Sequence, residues 1–128
     1  MRGRAIVALC LAANAGAPME IHLPLLPKIS MPVEELLREE AVSAGLRQQW
    51  VLSIAWRESR FRPDVGDEIS GIGVMGLLPK FFPNVRWRDP DENVRAGVAY
   101  LRELLNRYGS ERVADCVYGR GRRACGVL

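Results

Sequence analysis

At 128 residues the chain suits a single domain, and 48% hydrophobic with 26% charged residues is the ordinary balance of a globular protein. The formal charge of +3 is small and the basic cluster near the C-terminus lacks interleaved aromatics, so nucleic acid is excluded as a partner. With one histidine, His22, and no Cys-x-x-Cys pair, no metal site and no other cofactor is expected.

Residues 1–17 differ from the rest. Arg2 and Arg4 precede an apolar run from Ala5 to Ala13, and Ala15-Gly16-Ala17 has the small-x-small form of a cleavage site. This is the pattern of a short secretory signal peptide, too short for a stable membrane span in the mature protein. A cytosolic N-terminal helix is the other reading. Cleavage after Ala17 would lower the formal charge from +3 to +1, because two arginines leave and all 15 acidic residues lie beyond. It would also remove Cys10, leaving Cys116 and Cys125 nine residues apart. In an exported chain that pair either closes a small disulfide loop or remains as two thiols.

Residues 18–30 hold Pro18, Pro24 and Pro27 and read as a stiff, extended lead-in. Ser30 can cap a helix whose first turn holds Pro32, Glu34 and Glu35. Val33, Leu36, Leu37 and Ala41 form its apolar face, and Gly45 can end it. The next helix carries Trp50, Val51, Leu52, Ile54 and Ala55, leaving little room for a solvated face. Pro63, with the bias it places on Arg62, stops it just past Glu58. A carboxylate there feels the negative end of the helix dipole and nearby apolar packing, both of which favour its protonated form. Pairing with Arg57, Arg60 or Arg62 would act the other way, and the sequence leaves both open.

From Pro63 to Pro83 the glycines Gly66, Gly71, Gly73 and Gly76 interrupt Ile69, Ile72, Val74 and Met75. This predicts a loop with one short helix or a small β-hairpin, where backbone can approach a ligand. Asp89-Pro90-Asp91 opens a long helix. Val94, Val98, Leu101, Leu105 and Tyr108 give it an apolar stripe, and Gly109 ends it. Glu111 to Tyr118 predicts a last short helix before Gly119 and Gly121. Internal repeats, phosphate loops and heptad runs are absent from the sequence, and the pattern is that of a small, mostly α domain.

The order of motifs resembles the catalytic domain of soluble lytic transglycosylases (SLT type), relatives of goose-type lysozyme. Glu58-Ser59-Arg60-Phe61-Arg62-Pro63 resembles the family's Glu-Ser-x-Phe-x-Pro signature. Gly73-Val74-Met75-Gly76-Leu77-Leu78 is similar to its Gly-x-x-Gly-Leu-Met segment. Asp89 to Val94, with Gly97 to Leu101 and Leu104-Leu105, resembles the long helix after its Asp-Pro turn. Val117-Tyr118-Gly119-Arg120-Gly121 stands in place of its Ala-Tyr-Asn-x-Gly segment. Two positions depart: Pro79 stands where Gln is common, and Gly119 where Asn is common.

The resemblance implies a lysozyme-like single domain over 31–124, followed by a tail at 125–128, with at most a hairpin or irregular loop beside the active-site cleft. It implies cleavage of the β-1,4 bond between N-acetylmuramic acid and N-acetylglucosamine with formation of a 1,6-anhydromuramic end. Glu58 would be the catalytic acid, then base. Ser59, Met75, Gly76, Leu77 and Tyr118 would bind substrate. Tyr118 would orient the Glu58 carboxyl by a hydrogen bond, and Met75, Gly76 and Leu77 would offer backbone amides and an apolar wall to the sugar N-acetyl groups. Phe81, Phe82 and Trp87 are candidates for sugar stacking. The Arg120–Arg123 cluster is a candidate for peptide-stem carboxylates.

Hydrolysis as in goose-type lysozyme is the enzymatic alternative, with Asp64, Asp67 or Glu68 as the second carboxylate it needs. A wall-binding assembly factor of a secretion, conjugation or phage system is the non-enzymatic one. The expected protein is a periplasmic monomer acting on peptidoglycan glycan strands, or a phage-encoded equivalent.

Overall fold

The computed structural model of the chain describes residues 31–127. The predicted signal peptide, the proline-rich lead-in, Ser30, Cys10 and His22 lie outside the described residues. The elements in order are α1 (Val33–Ser43), α2 (Gln48–Ser59), β1 (Gly66–Asp67), β2 (Gly71–Ile72), α3 (Pro90–Tyr108), α4 (Glu111–Arg120) and a short 3-10 turn (Arg123–Cys125). The mostly α, lysozyme-like expectation therefore holds, and among the described residues the β component is one hairpin of two two-residue strands.

Each helix turns its apolar stripe onto a shared core. α1 packs against both α2 and α3, and α3 packs against α4. Leu37, Ile54, Met75, Leu77 and Leu101 are fully buried where these elements meet. Burying one such side chain stabilises by about 1.5–3 kcal/mol. An exposed pair such as Arg38–Glu34 adds at most about 1 kcal/mol, so the core decides the fold.

Helix ends follow capping chemistry, with three corrections to the sequence reading. Pro32 itself occupies the N-cap of α1, without a side-chain cap. At the other end of α1, the Gly45 amide donates to Val42 and that of Leu46 to Ala41, and the Leu46 side chain is buried, a Schellman closure. α2 ends at Ser59 through left-handed Arg60, φ 53° and ψ 41°, rather than directly through Pro63. α4 runs past Tyr118 and Gly119 to Arg120, because the Gly121 amide still donates to Val117 and continues the ladder.

α3 starts as read: Asp89 accepts from the Glu92 amide, Pro90 is the first helical residue, and Gly109 closes the helix at φ 68°. The hairpin pairs Gly66 with Ile72 and Asp67 with Gly71. Its tip is held by Asp67, whose Oδ1 accepts from the Ile69 and Ser70 amides and the Ser70 hydroxyl. Beyond β2 the chain turns through Gly73–Gly76 and returns to bridge Ile72 with Leu77. At the C-terminus Cys116 of α4 is bonded to Cys125 of the 3-10 turn, with Cα atoms 5.9 Å apart.

Candidate active site

Glu58 is the penultimate residue of α2, and the backbone that follows it is bent sharply. Arg60 and Phe61 both have positive φ, at 53° and 62°. The turn is secured by the Arg60 amide bonded to Trp56 and the Arg62 amide bonded to Ser59. Trp56 and Phe61 also meet edge-to-face at 5.3 Å, and the Arg60 guanidinium lies over the Trp56 ring. The acid is thereby fixed from the backbone.

The loop 73–77 comes up against Glu58. Gly76 has φ 63°, and a Cβ built there would lie 2.7 Å from Glu58 Oε2, so only glycine admits the carboxyl at this point. Ser59 ties loop and helix together: its buried hydroxyl reaches the Val74 carbonyl at 2.7 Å and the Ala55 carbonyl at 3.1 Å. From the other side the loop is held by Asn93 of α3, which is fully buried. Asn93 Oδ1 accepts from the Met75 amide at 2.8 Å, and its Nδ2 donates to Ile72 at 2.9 Å and Trp87 at 2.7 Å. The Tyr118 hydroxyl donates to the Met75 carbonyl at 2.6 Å.

Electrostatics at Glu58 are a contest that burial wins. Desolvation raises the carboxyl above its ordinary range; Arg57 pulls it down by charge and by a long 3.4 Å contact, and Asp115 pushes it back up. The net direction is up. Both sequence-level arguments were thus at work: the arginine pairing exists, with Arg57 alone, and apolar packing outweighs it. Tyr118 is pushed far above the usual phenol range by burial, then by the neighbouring Glu58 and Tyr100. It remains a protonated donor at any physiological pH.

A cleft of about 880 Å³ opens beside Gly76. Ala96, Ala99, Tyr100 and Glu103 of α3 form one wall and Val117, Tyr118, Gly119 and Arg120 of α4 the other. Leu77, Leu78, Phe81 and Phe82 close one side, and Gly121 and Arg122 also line it. Phe82, Tyr100 and Tyr118 form an aromatic strip with ring centres 5.8 and 5.5 Å apart. Glu58 is not part of the cleft wall; its carboxyl sits against Gly76, where the cleft begins, with a side chain 20% exposed.

Several expected contacts are drawn differently. The Tyr118 hydroxyl bonds Met75 rather than Glu58. The amides of Met75, Gly76 and Leu77 are bonded to Asn93, Gly73 and Ile72, so none is a free donor for a sugar. Met75 is buried, and Gly76 and Leu77 are the two that reach the cleft. Among the aromatics, Phe81 is 65% exposed, whereas Phe82 and Trp87 pack on the core and Trp87 Nε1 is bonded to the Phe82 carbonyl. Asp67 is committed to the hairpin tip; Asp64 and Glu68 are exposed.

Residues that sequence reading passed over are Asn93, Asp115, Tyr100 and Glu103. Asn93 had a legible signal, an amide on the apolar stripe between Glu92 and Val94, where a buried polar group must be bonded. Asp115 had none, because its partner Arg57 is 58 residues away.

A single carboxyl kept from full solvation, at the head of a groove with aromatic walls, is sufficient equipment for acid-catalysed cleavage of a glycan, and the helical frame belongs to the lysozyme-like class. Comparison with protein families agrees. The transglycosylase SLT domain matches residues 35–125, most of the chain, and the chain belongs to that family. It is therefore a lytic transglycosylase of peptidoglycan, a glycan lyase. Enzymes of this family are typically exported or periplasmic. No solved structure matches the chain. Among the described residues no helix is long and apolar enough to cross a membrane.

Proposed function

We propose that Glu58 carries both proton transfers of the lytic reaction. Protonated, it gives its proton to the glycosidic oxygen between N-acetylmuramic acid and N-acetylglucosamine. As carboxylate it accepts the proton of the muramic 6-hydroxyl, whose oxygen bonds C1 and closes the 1,6-anhydro ring. The observation that carries this reading is the half-buried carboxyl seated against Gly76, raised in pKa by burial, where the cleft begins. An acid whose protonated form is favoured by burial is what such a cycle needs first.

Gly76, Leu77 and Tyr118 contact the glycan along the cleft in this proposal. Ser59 and Met75 act from behind, through the bonds that hold the loop 73–77 in place. Phe81 offers a stacking face at the rim, and Arg120 and Arg122 meet carboxylates of the peptide stems. The chain works as an exported, periplasmic monomer, and local wall opening for a secretion, conjugation or phage assembly fits its small size. N-terminal sequencing of the exported protein tests the cleavage after Ala17.

The decisive experiment is Glu58→Gln on purified walls, with mass analysis of the parent's products. The expected result is loss of lysis by about a hundredfold or more in the variant, and parent products one water lighter than hydrolytic ones. Lysis by Glu58→Gln at the parental rate would reject the assignment. Hydrated product ends would replace the lytic reaction with hydrolysis.

A further inference from the structure

Glu58 follows Arg57 directly, and neighbours on a helix point about 100° apart, so they do not ordinarily face each other. Here they meet because α4 draws the arginine across. The Arg57 Nη1 is bonded to Asp115 Oδ1, and its Nη2 is brought to 3.4 Å from Glu58 Oε1. The guanidinium passes over Gly119: a Cβ built on Gly119 would lie 3.2 Å from Arg57 Nη2 and 3.5 Å from its Cζ. Gly119 is helical, so the usual reason for glycine, a left-handed backbone, does not apply. What its bare backbone provides is passage for the Arg57 head.

We propose that Arg57, anchored by Asp115 and admitted by Gly119, is the positioning residue of Glu58 in this enzyme. The inference rests on Glu58 as the acid and base. The guanidinium fixes the carboxyl and takes up the negative charge that appears there once the proton has gone to the glycosidic oxygen. An unaccompanied arginine so near would draw Glu58 further toward its ionised form, against burial. Asp115 offsets that charge, so the acid can be protonated first and stabilised as carboxylate afterwards. Among the described residues, the charged and titratable groups around Glu58 are Arg57 on its own helix, and Asp115 and Tyr118 on α4. Tyr118 stays neutral, so burial sets the upward direction and the Arg57–Asp115 pair adjusts it.

The test titrates Glu58 directly, by the ¹³C shift of its carboxyl in the free protein, in the parent and in Arg57→Met, Asp115→Asn, Arg57→Lys and Gly119→Asn. The Glu58 pKa is expected to rise in Arg57→Met and to fall in Asp115→Asn, with Arg57→Lys near the parent. Gly119→Asn, which fills the passage, is expected to follow Arg57→Met. On walls, Arg57→Met is expected to lose about ten- to a hundredfold in kcat with KM little changed. Asp115→Asn is nearly isosteric and keeps the test alive should Arg57→Met fold poorly.

Shifts in the same direction for Arg57→Met and Asp115→Asn, or no shift in either, would overturn the proposal. Failure of Glu58 as the acid is a separate result: the opposed pKa shifts would then persist while Glu58→Gln remained lytic.

Discussion

Replacing Asn93 by aspartate changes the side chain by one heavy atom and reverses what it offers to its surroundings. In the parent, Nδ2 supplies two buried hydrogen bonds, to Ile72 and Trp87, while Oδ1 accepts from Met75. An ionised carboxylate keeps the third and loses the first two, about 1–1.5 kcal/mol each. It also places an unpaired charge against two carbonyl oxygens in a fully buried position. Uncompensated buried charges cost about 3–5 kcal/mol in all, the lost hydrogen bonds included, so the ionised variant should be less stable by roughly 4 kcal/mol. Set against a usual domain stability of about 5–15 kcal/mol, it should fold yet be marginal.

When protonated, the new carboxyl can donate to one of the two carbonyls, and the loss shrinks to about 1–2 kcal/mol. The native state therefore binds this proton more tightly than the unfolded chain, and the folded pKa lies above the unfolded one. Stability is then greatest below the unfolded value and falls as pH rises through the folded value. Urea denaturation with the disulfide intact, at about pH 3, below the unfolded carboxyl's value, and at about pH 7.5, reads both numbers. A deficit under about 1 kcal/mol at the higher pH, or equal deficits at both, would refute the reasoning about Asn93.

Glu58→Gln should be at least as stable as the parent at neutral pH. Glu58 has a raised folded pKa, so the parent holds its full stability at low pH and loses part of it as pH rises through that value. Thermal melts across pH should show the two curves converging on the acid side. Reducing Cys116–Cys125, with nine residues of sequence separation, should cost about 2.5 kcal/mol on the loop-entropy relation. It should also lower wall lysis, because Gly121 and Arg122 of the closed loop line the cleft; unchanged lysis in reduced, folded protein would count against their use. Phe81→Ala should leave stability within about 0.5 kcal/mol, since the ring is mostly exposed, and raise KM for walls several-fold. An unchanged KM would remove Phe81 from the substrate path.

The fold was largely legible because its signals are local. The stripe Val94, Val98, Leu101 needs only helical periodicity to be read, and the Asp89-Pro90 start and Gly109 stop need only capping chemistry. The glycine run announced a loop but not its use, since the approach of Gly76 to Glu58 is made between segments far apart in sequence. The same limit hid the Arg57–Asp115 pair. It also misdirected Tyr118: the family resemblance sets its hydroxyl on the acid, and only packing decides that the acceptor it meets is the Met75 carbonyl. Gly119 looked like a lost polar group. In the folded chain it is an opening for one.

The bend after α2 sets two successive residues with side chains, Arg60 and Phe61, in the left-handed region, a conformation that disfavours each by about 1–2 kcal/mol. Glycine would accept it freely, so the domain sits below its own stability ceiling, and the slack is concentrated within three residues of the acid. A programme to make this enzyme heat-resistant has its first position there. Arg60→Gly relieves the backbone while leaving Glu58 itself untouched, so the melting temperature gained can be weighed against turnover lost at one position. That ratio would measure how much rigidity the lytic reaction asks of its frame.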